Sequence, residues 1–192
     1  MNSKSPFFLI VLLSVSASAF AHSGEGMVGG FQSGVLHPIV GFDHLLAMLL
    51  VGIWGAQMGG NNIWTLPVVF PLVMAVGGFA GAAGLPLPGV ETAIALSVIG
   101  LGLAVATAAK PPEWISLLVI GIFAIFHGYA HGAELPAAAN AVAYGIGFVL
   151  ATGLIHLTGI GFGLAAIGPM KGRIARVAGG AMSIAGIYFL VG

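Results

Sequence analysis

From residue 39 onward the chain is a succession of apolar stretches, each close to the length that crosses a bilayer, and almost nothing charged lies inside them. They fall at 39–58, 62–82, 90–109, 113–131, 137–167 and 173–192. A hydrocarbon layer about 30 Å thick takes about 20 helical residues. Within it every backbone N–H and C=O must be satisfied inside the segment, which leaves helices or closed barrels, and runs this long and unbroken fit helices. Breakers separate the runs: Gly59-Gly60-Asn61-Asn62, Pro86-Leu87-Pro88, Pro111-Pro112, Pro136 and Gly168-Pro169. The fifth run exceeds the needed length and must tilt, bend or protrude. Charged residues make up 5% of the chain and hydrophobic ones 59%, where a soluble domain carries about 25% charged. The expected fold is all-α and polytopic, six transmembrane helices in a compact glycine-rich bundle. Zero net charge gives no basic surface for nucleic acid, and with no Cys there are neither disulfides nor thiolate metal ligands.

The first residues read differently. MNSKSPFFLIVLLSVSASAFA has one Lys, an apolar core from Phe7 to Val15 and then small residues ending in Ala19-Phe20-Ala21, an A-x-A pattern. This predicts a signal peptide over 1–21 and a mature permease domain over 22–192, the alternative being an uncleaved extra helix. Cleavage would leave His22 as an outside N-terminus. Six alternating spans then bring the loops at 59–61, 110–112 and 168–172 inside and return the C-terminus outside. Lys110, Lys171, Arg173 and Arg176 all fall at the inner ends, while Glu25, Glu91 and Glu134 fall outside. That agrees with the rule that short inner loops carry the Lys and Arg. The expected location is a bacterial inner membrane with both mature ends outside. Trp54, Trp64 and Trp114, near the inner ends, read as interfacial anchors.

Small residues recur at four-residue spacing in Gly77/Gly81, Gly128/Gly132, Gly159/Gly163 and Ala181/Ala185. Such pairs let helix backbones approach closely and predict tight packing rather than chemistry.

The ionisable residues inside the spans carry the functional reading, because each is costly in lipid and belongs in the bundle interior. In VLHPIVGFDHLLAMLLVG, Pro38 suits a first helical turn. A helix running on from there lines up His37, Gly41, His44 and Met48, with Asp43 about 100° round from His44, where it can orient an imidazole or make a contact of its own. In FHGYAHGAELP, His127, His131 and Glu134 share one helical arc, and two His at i, i+4 form a natural chelating pair. The sequence is not H-E-x-x-H, since Gly128 follows His127, which argues against a zincin-type protease. Interhelical hydrogen bonding and a helix-end cluster are the plain structural alternatives. Alternation of the spans, however, puts both clusters at the outer side and at one depth. Together they offer imidazoles and carboxylates, a donor set suited to Ni, Co, Zn, Cu or Fe divalent ions rather than to Ca or Mg. His156, deeper in the fifth span, reads as a relay or as a packed residue; His22 and Met48 are further candidate relay or access positions. Asn140, Thr152 and Thr158 could line the same route.

On these residues the chain resembles the HupE/UreJ family, membrane proteins associated with nickel-dependent hydrogenases and ureases and regarded as nickel or cobalt permeases. The resemblance rests on His37-Pro38-x-x-Gly41-x-Asp43-His44-x-x-Ala47-Met48-x-x-Val51-Gly52 and on His127-Gly128-x-x-His131-Gly132-x-Glu134-x-Pro136. It implies metal uptake through His37, Asp43 and His44, helped by His127, His131 and Glu134, and a link to nickel-enzyme maturation. It leaves nickel against cobalt open. The expectation is therefore a transporter and not an enzyme, with Ni2+ or Co2+ as cargo, no permanently bound cofactor, and the lipid bilayer as its surroundings. No Walker A sequence occurs, which argues against ATP hydrolysis in this chain, and the membrane potential or secondary coupling is the expected driving force. Two rival readings stand beside it: a haem-binding electron carrier with His axial ligands, and an intramembrane metallohydrolase.

Overall fold

A computed structural model describes residues 26–135, 140–166 and 169–192. The expected signal peptide, His22 and Glu25 lie outside the described residues. Among the described residues seven helices follow one another: α1 Gly26–Val40, α2 Phe42–Met58, α3 Asn62–Ala82, α4 Val90–Thr107, α5 Glu113–Ala133, α6 Ala141–Ala165 and α7 Pro169–Val191. α3 to α7 are each long and apolar enough to cross a membrane, and α1 with α2 makes a further span only if the pair counts as one. The protein is therefore an all-helical, multi-pass membrane protein. Its outer surface agrees: Phe79, Leu72, Val142, Leu154, Val177 and Ile184 are all exposed, as a lipid-facing surface requires.

The first span corrects the sequence reading. No single helix runs from Pro38 through Met48. α1 ends at Val40, Gly41 adopts an extended conformation (φ −75°, ψ 99°), and the axes on either side meet at 78°. Pro38 lies in the last turn of α1 and not in a first turn. His37 and His44 thus belong to different helices, and the single stripe through His37, Gly41, His44 and Met48 does not exist. The sequence shows no sign of a strong break here because Gly41 is one of many glycines in helical segments.

Glycine faces set the helix pairing. On α3, a Cβ at Gly77 or Gly81 would run into the Ile125 or Tyr129 carbonyl, and on α5 one at Gly128 or Gly132 would strike the Met74 or Gly78 carbonyl. These helices lie side by side in parallel with almost no side chain between them. α6 packs α1 against its first half, at Gly34 and Gly147, and α2 against its second half, where Gly52, Gly159 and Gly163 touch the opposing chain. α4 and α7 pair antiparallel through Gly102, Gly179, Ser183 and Gly186. Ala181, expected on this face, is exposed instead: the contact row on α7 is offset from it and reads Gly179, Ser183, Gly186. The other three small-residue pairs lie at backbone contacts, as expected.

Parallel and antiparallel pairing divide the helix ends into two groups. One end holds the Gly59-Gly60 turn, whose positive φ values of 76° and 57° favour glycine, the end of α4 and the start of α5. There Arg176 Nε donates to the Ala106 carbonyl at 2.7 Å and Trp54 Nε1 to the Ala109 carbonyl at 2.9 Å. The Ala106 carbonyl lies in the last turn of α4, where intrahelical donors run out, and Ala109 lies just beyond that helix. Trp54 is therefore buried and tied to the chain after α4, not a surface anchor, whereas Trp64 and Trp114 are exposed as expected. The opposite end holds the α1–α2 break, the end of α5 and the start of α6, which Asn140 caps by accepting from the Ala143 N–H at 2.9 Å.

Candidate metal centre

α2 and α5 bring the two polar clusters together at this second end. The His44 ring lies 4.8 Å from the His127 ring and 4.3 Å from the His131 ring, centroid to centroid. All three rings are buried. One turn separates His127 from His131 on α5, so both face the start of α2. His37, from the last turn of α1, lies 4.8 Å from His131. Its Nε2 is 3.1 Å from the Glu134 carboxylate. Donor atoms of His37, His131 and Glu134 all lie within 4.8 Å of one another, a set able to hold a metal ion. Two donor groups therefore overlap at His131: an outer, part-exposed one with His37 and Glu134, and an inner, buried one with His44 and His127.

Hydrogen bonds fix which nitrogens are free. His44 Nδ1 is 2.8 Å from Asp43 Oδ1 and His127 Nδ1 is 2.9 Å from the Phe123 carbonyl. Carboxylate and carbonyl only accept, so each Nδ1 is the protonated donor and each Nε2 keeps its lone pair. Neither Nε2 has a hydrogen-bond partner, and neither nitrogen of His131 has one. A buried imidazole whose far nitrogen is held by a carboxylate or carbonyl is the usual arrangement of a metal-ligating His. Asp43, which the sequence left open as ligand or orienting group, is in the orienting position. It also accepts from the His44 backbone N–H at 2.8 Å, closing the first turn of α2.

Helix ends add to the electrostatics. His37 lies in the last turn of α1, His131 in the last turn of α5, and Glu134 caps α5. Helix C-termini carry partial negative charge and favour cations. The N-terminus of α2 has the opposite sign, and Asp43 in its first turn offsets it. The hydrogen bond from His37 holds the Glu134 carboxyl below the usual carboxylate range, so this acid is ionised at neutral pH.

The remaining candidates divide. His156 is 1% exposed and lies beyond Phe70, not within the cluster. Met48 is fully buried in the apolar core. Thr152 is buried without a partner. Thr158 is exposed and donates back to the Leu154 carbonyl, and Asn140 is a helix cap, so neither lines the cluster. Sequence reasoning missed Tyr144, whose ring packs 5.9 Å from His37 and whose hydroxyl has no partner. It also missed Phe70, 5.5 Å from His127. The four-residue spacing of Tyr144, Phe148, Thr152 and His156 was the available signal.

A bundle of several membrane-length helices with a buried imidazole cluster beside the α1–α2 bend defines a multi-pass membrane protein with a polar interior site. Comparison with known proteins agrees with the motifs. The model of the HupE / UreJ protein family matches residues 10–189, and the chain belongs to that family. Protein HupE of Rhizobium leguminosarum bv. viciae is 45% identical over 182 residues, 94% of this chain and 95% of the relative. No solved structure matches the chain.

Proposed function

We propose that the protein carries a divalent transition-metal ion, nickel or cobalt, across the bacterial inner membrane toward the cytoplasm, as supply for nickel-enzyme maturation. The observation that carries this reading is the meeting of His44, His127 and His131 with their lone pairs unpartnered and buried. Membership of the HupE/UreJ family supports it. An unsatisfied buried polar atom costs about 1–3 kcal/mol, and a cation that accepts those lone pairs removes the cost. Imidazole with carboxylate nearby suits nickel, cobalt or zinc better than calcium or magnesium. His37 and Glu134, being part-exposed, meet the ion first; His44, His127 and His131 hold it next, with Asp43 fixing the His44 tautomer. A porphyrin would need two imidazoles on opposite sides of its plane, whereas these rings already touch, which weighs against a haem carrier.

The test is initial uptake of radiolabelled Ni2+ and Co2+ by cells with and without the protein, and with His44→Ala or His127→Ala at equal folded protein. Uptake should require the protein, and each variant should lose most of it. Equal uptake with and without the protein would end the proposal.

A further inference from the structure

Beyond the imidazole cluster, the interior face of α6 continues away from it as Tyr144, Phe148, Thr152 and His156, one turn apart. All four are buried, and the Tyr144 hydroxyl, the Thr152 hydroxyl and both His156 nitrogens lack hydrogen-bond partners. The Thr152 hydroxyl is both buried and unpartnered. Thr65, Thr107 and Thr158 each donate back to the carbonyl four residues earlier, the ordinary way for a helical Thr to satisfy itself. Thr152 does not.

Phe70 stands between the outer cluster and His156. Its ring is fully buried and lies 5.5 Å from the His127 ring and 5.5 Å from the His156 ring. Phe70 sits on α3 between Pro67 and Pro71. Pro71 has no N–H, so the Pro67 carbonyl has no donor in the helical ladder. Phe70, three residues on from Pro67, touches the His156 ring, so the freed carbonyl shares the helix face nearest that imidazole.

We propose that His156, with the Thr152 hydroxyl and the freed Pro67 carbonyl, forms a second, inner coordination station for the transported divalent cation, and that the Phe70 ring is the barrier between the two stations. This rests on the transport reading above. Unpartnered polar groups on one buried face, a backbone carbonyl released by proline, and an apolar ring inserted between two imidazoles together make two sites in series. Conduction needs sites that bind the ion firmly enough to admit it yet release it onward. A phenyl ring offers a divalent ion nothing to replace its lost ligands, so it separates the stations until it turns aside. If His156 served only packing, its edge-on contact with Phe70 would suffice and an apolar residue of similar size would replace it.

The experiment uses the full-length purified protein and Ni2+ alone, with two readouts. One is the Ni2+ binding isotherm in detergent; the other is Ni2+ uptake by proteoliposomes at equal reconstituted protein. Wild type should bind in two phases. His156→Leu should keep the tighter phase, lose the weaker one and slow uptake about tenfold or more, the scale on which metal-site perturbations act. Should His156→Leu not fold, His156→Gln, which keeps polarity and size, is read the same way. Phe70→Ala should retain both phases and raise the downhill Ni2+ flux. Unchanged binding and uptake in the folded His156 variant would overturn the inner station, and unchanged flux in Phe70→Ala would overturn the barrier. In both cases wild-type uptake would remain, so the transport reading would stand. No binding and no uptake by wild type would remove the transport reading and this proposal together.

Discussion

An imidazole has one lone pair to give, and only while its other nitrogen keeps the proton. His44 and His127 are set up in that state by different partners, a carboxylate one residue away and a carbonyl one turn back. Asp43→Asn should therefore weaken metal affinity about 10–100-fold, as outer-shell changes do, while leaving folded protein abundance unchanged; half-saturation of Ni2+ uptake reads this. His44 and His131 touch, so their losses should not add. His44→Ala should abolish most uptake and His131→Ala on top should add little, because groups serving one ion behave as a unit. Log-additive losses per folded protein would indicate two separate structural clusters. Protons compete for the same lone pairs, because only an unprotonated imidazole nitrogen binds metal. Uptake at subsaturating metal should thus fall as the external medium is acidified. Glu134 is not the group that responds first: its carboxyl is held low by His37, so it stays ionised until stronger acid. That His44 would meet the α5 pair was legible from alternation of the spans alone. The role of Asp43 was not, since the sequence gives its distance from His44 along the chain and not which oxygen accepts.

At the scale of the helix, the sequence revealed length and hydropathy well and bending poorly. The segments at 62–82 and 90–109 correspond closely to α3 and α4, because Gly, Pro and Asn punctuate them. The α1 helix and its break at Gly41 were missed because glycine in this chain serves close packing as often as it ends a helix. Phe70 was missed for a related reason: inside an apolar span, one aromatic looks like any lipid-facing residue until its neighbours are known. The glycine pairs, by contrast, were readable, and they allow a graded test. Gly128 meets the α3 backbone directly, and a side chain there has nowhere to go. Gly128→Leu should destabilise the detergent-solubilised protein by at least the roughly 1–3 kcal/mol typical of overpacking. At Gly121, on the same helix, an added Cβ would meet nothing within 4 Å, so Gly121→Ala should leave thermal stability unchanged or slightly improved. Equal effects at both positions would mean that helix propensity, and not the α3–α5 approach, sets the stability.

For the molecule as a whole, the helix ends sort the charges. Lys110, Arg173 and Arg176 lie at the end where Trp54 bonds the segment after α4, and the His37–Glu134 pair lies at the other. If the basic end faces the cytoplasm, as short Lys- and Arg-bearing loops do, the imidazole cluster opens outward and the C-terminus lies outside. A reporter fused after Gly192 should then be active only if it works outside the cytoplasm. The same orientation decides the energetics. A divalent cation moving inward through a potential of about 100 mV, negative inside, gains about 4.6 kcal/mol, at about 2.3 per charge. That supports roughly a thousandfold accumulation at about 1.4 kcal/mol per tenfold. Proteoliposomes given an inside-negative potassium-diffusion potential should therefore concentrate Ni2+ with no pH gradient present. Collapsing the potential should let the ion equilibrate without accumulation. Should accumulation instead follow an imposed pH gradient and ignore the potential, the ion is exchanged against protons. The unpartnered His156 would then be the first residue to examine as a proton carrier, because its buried nitrogens lie on the inward side of the cluster, beyond Phe70.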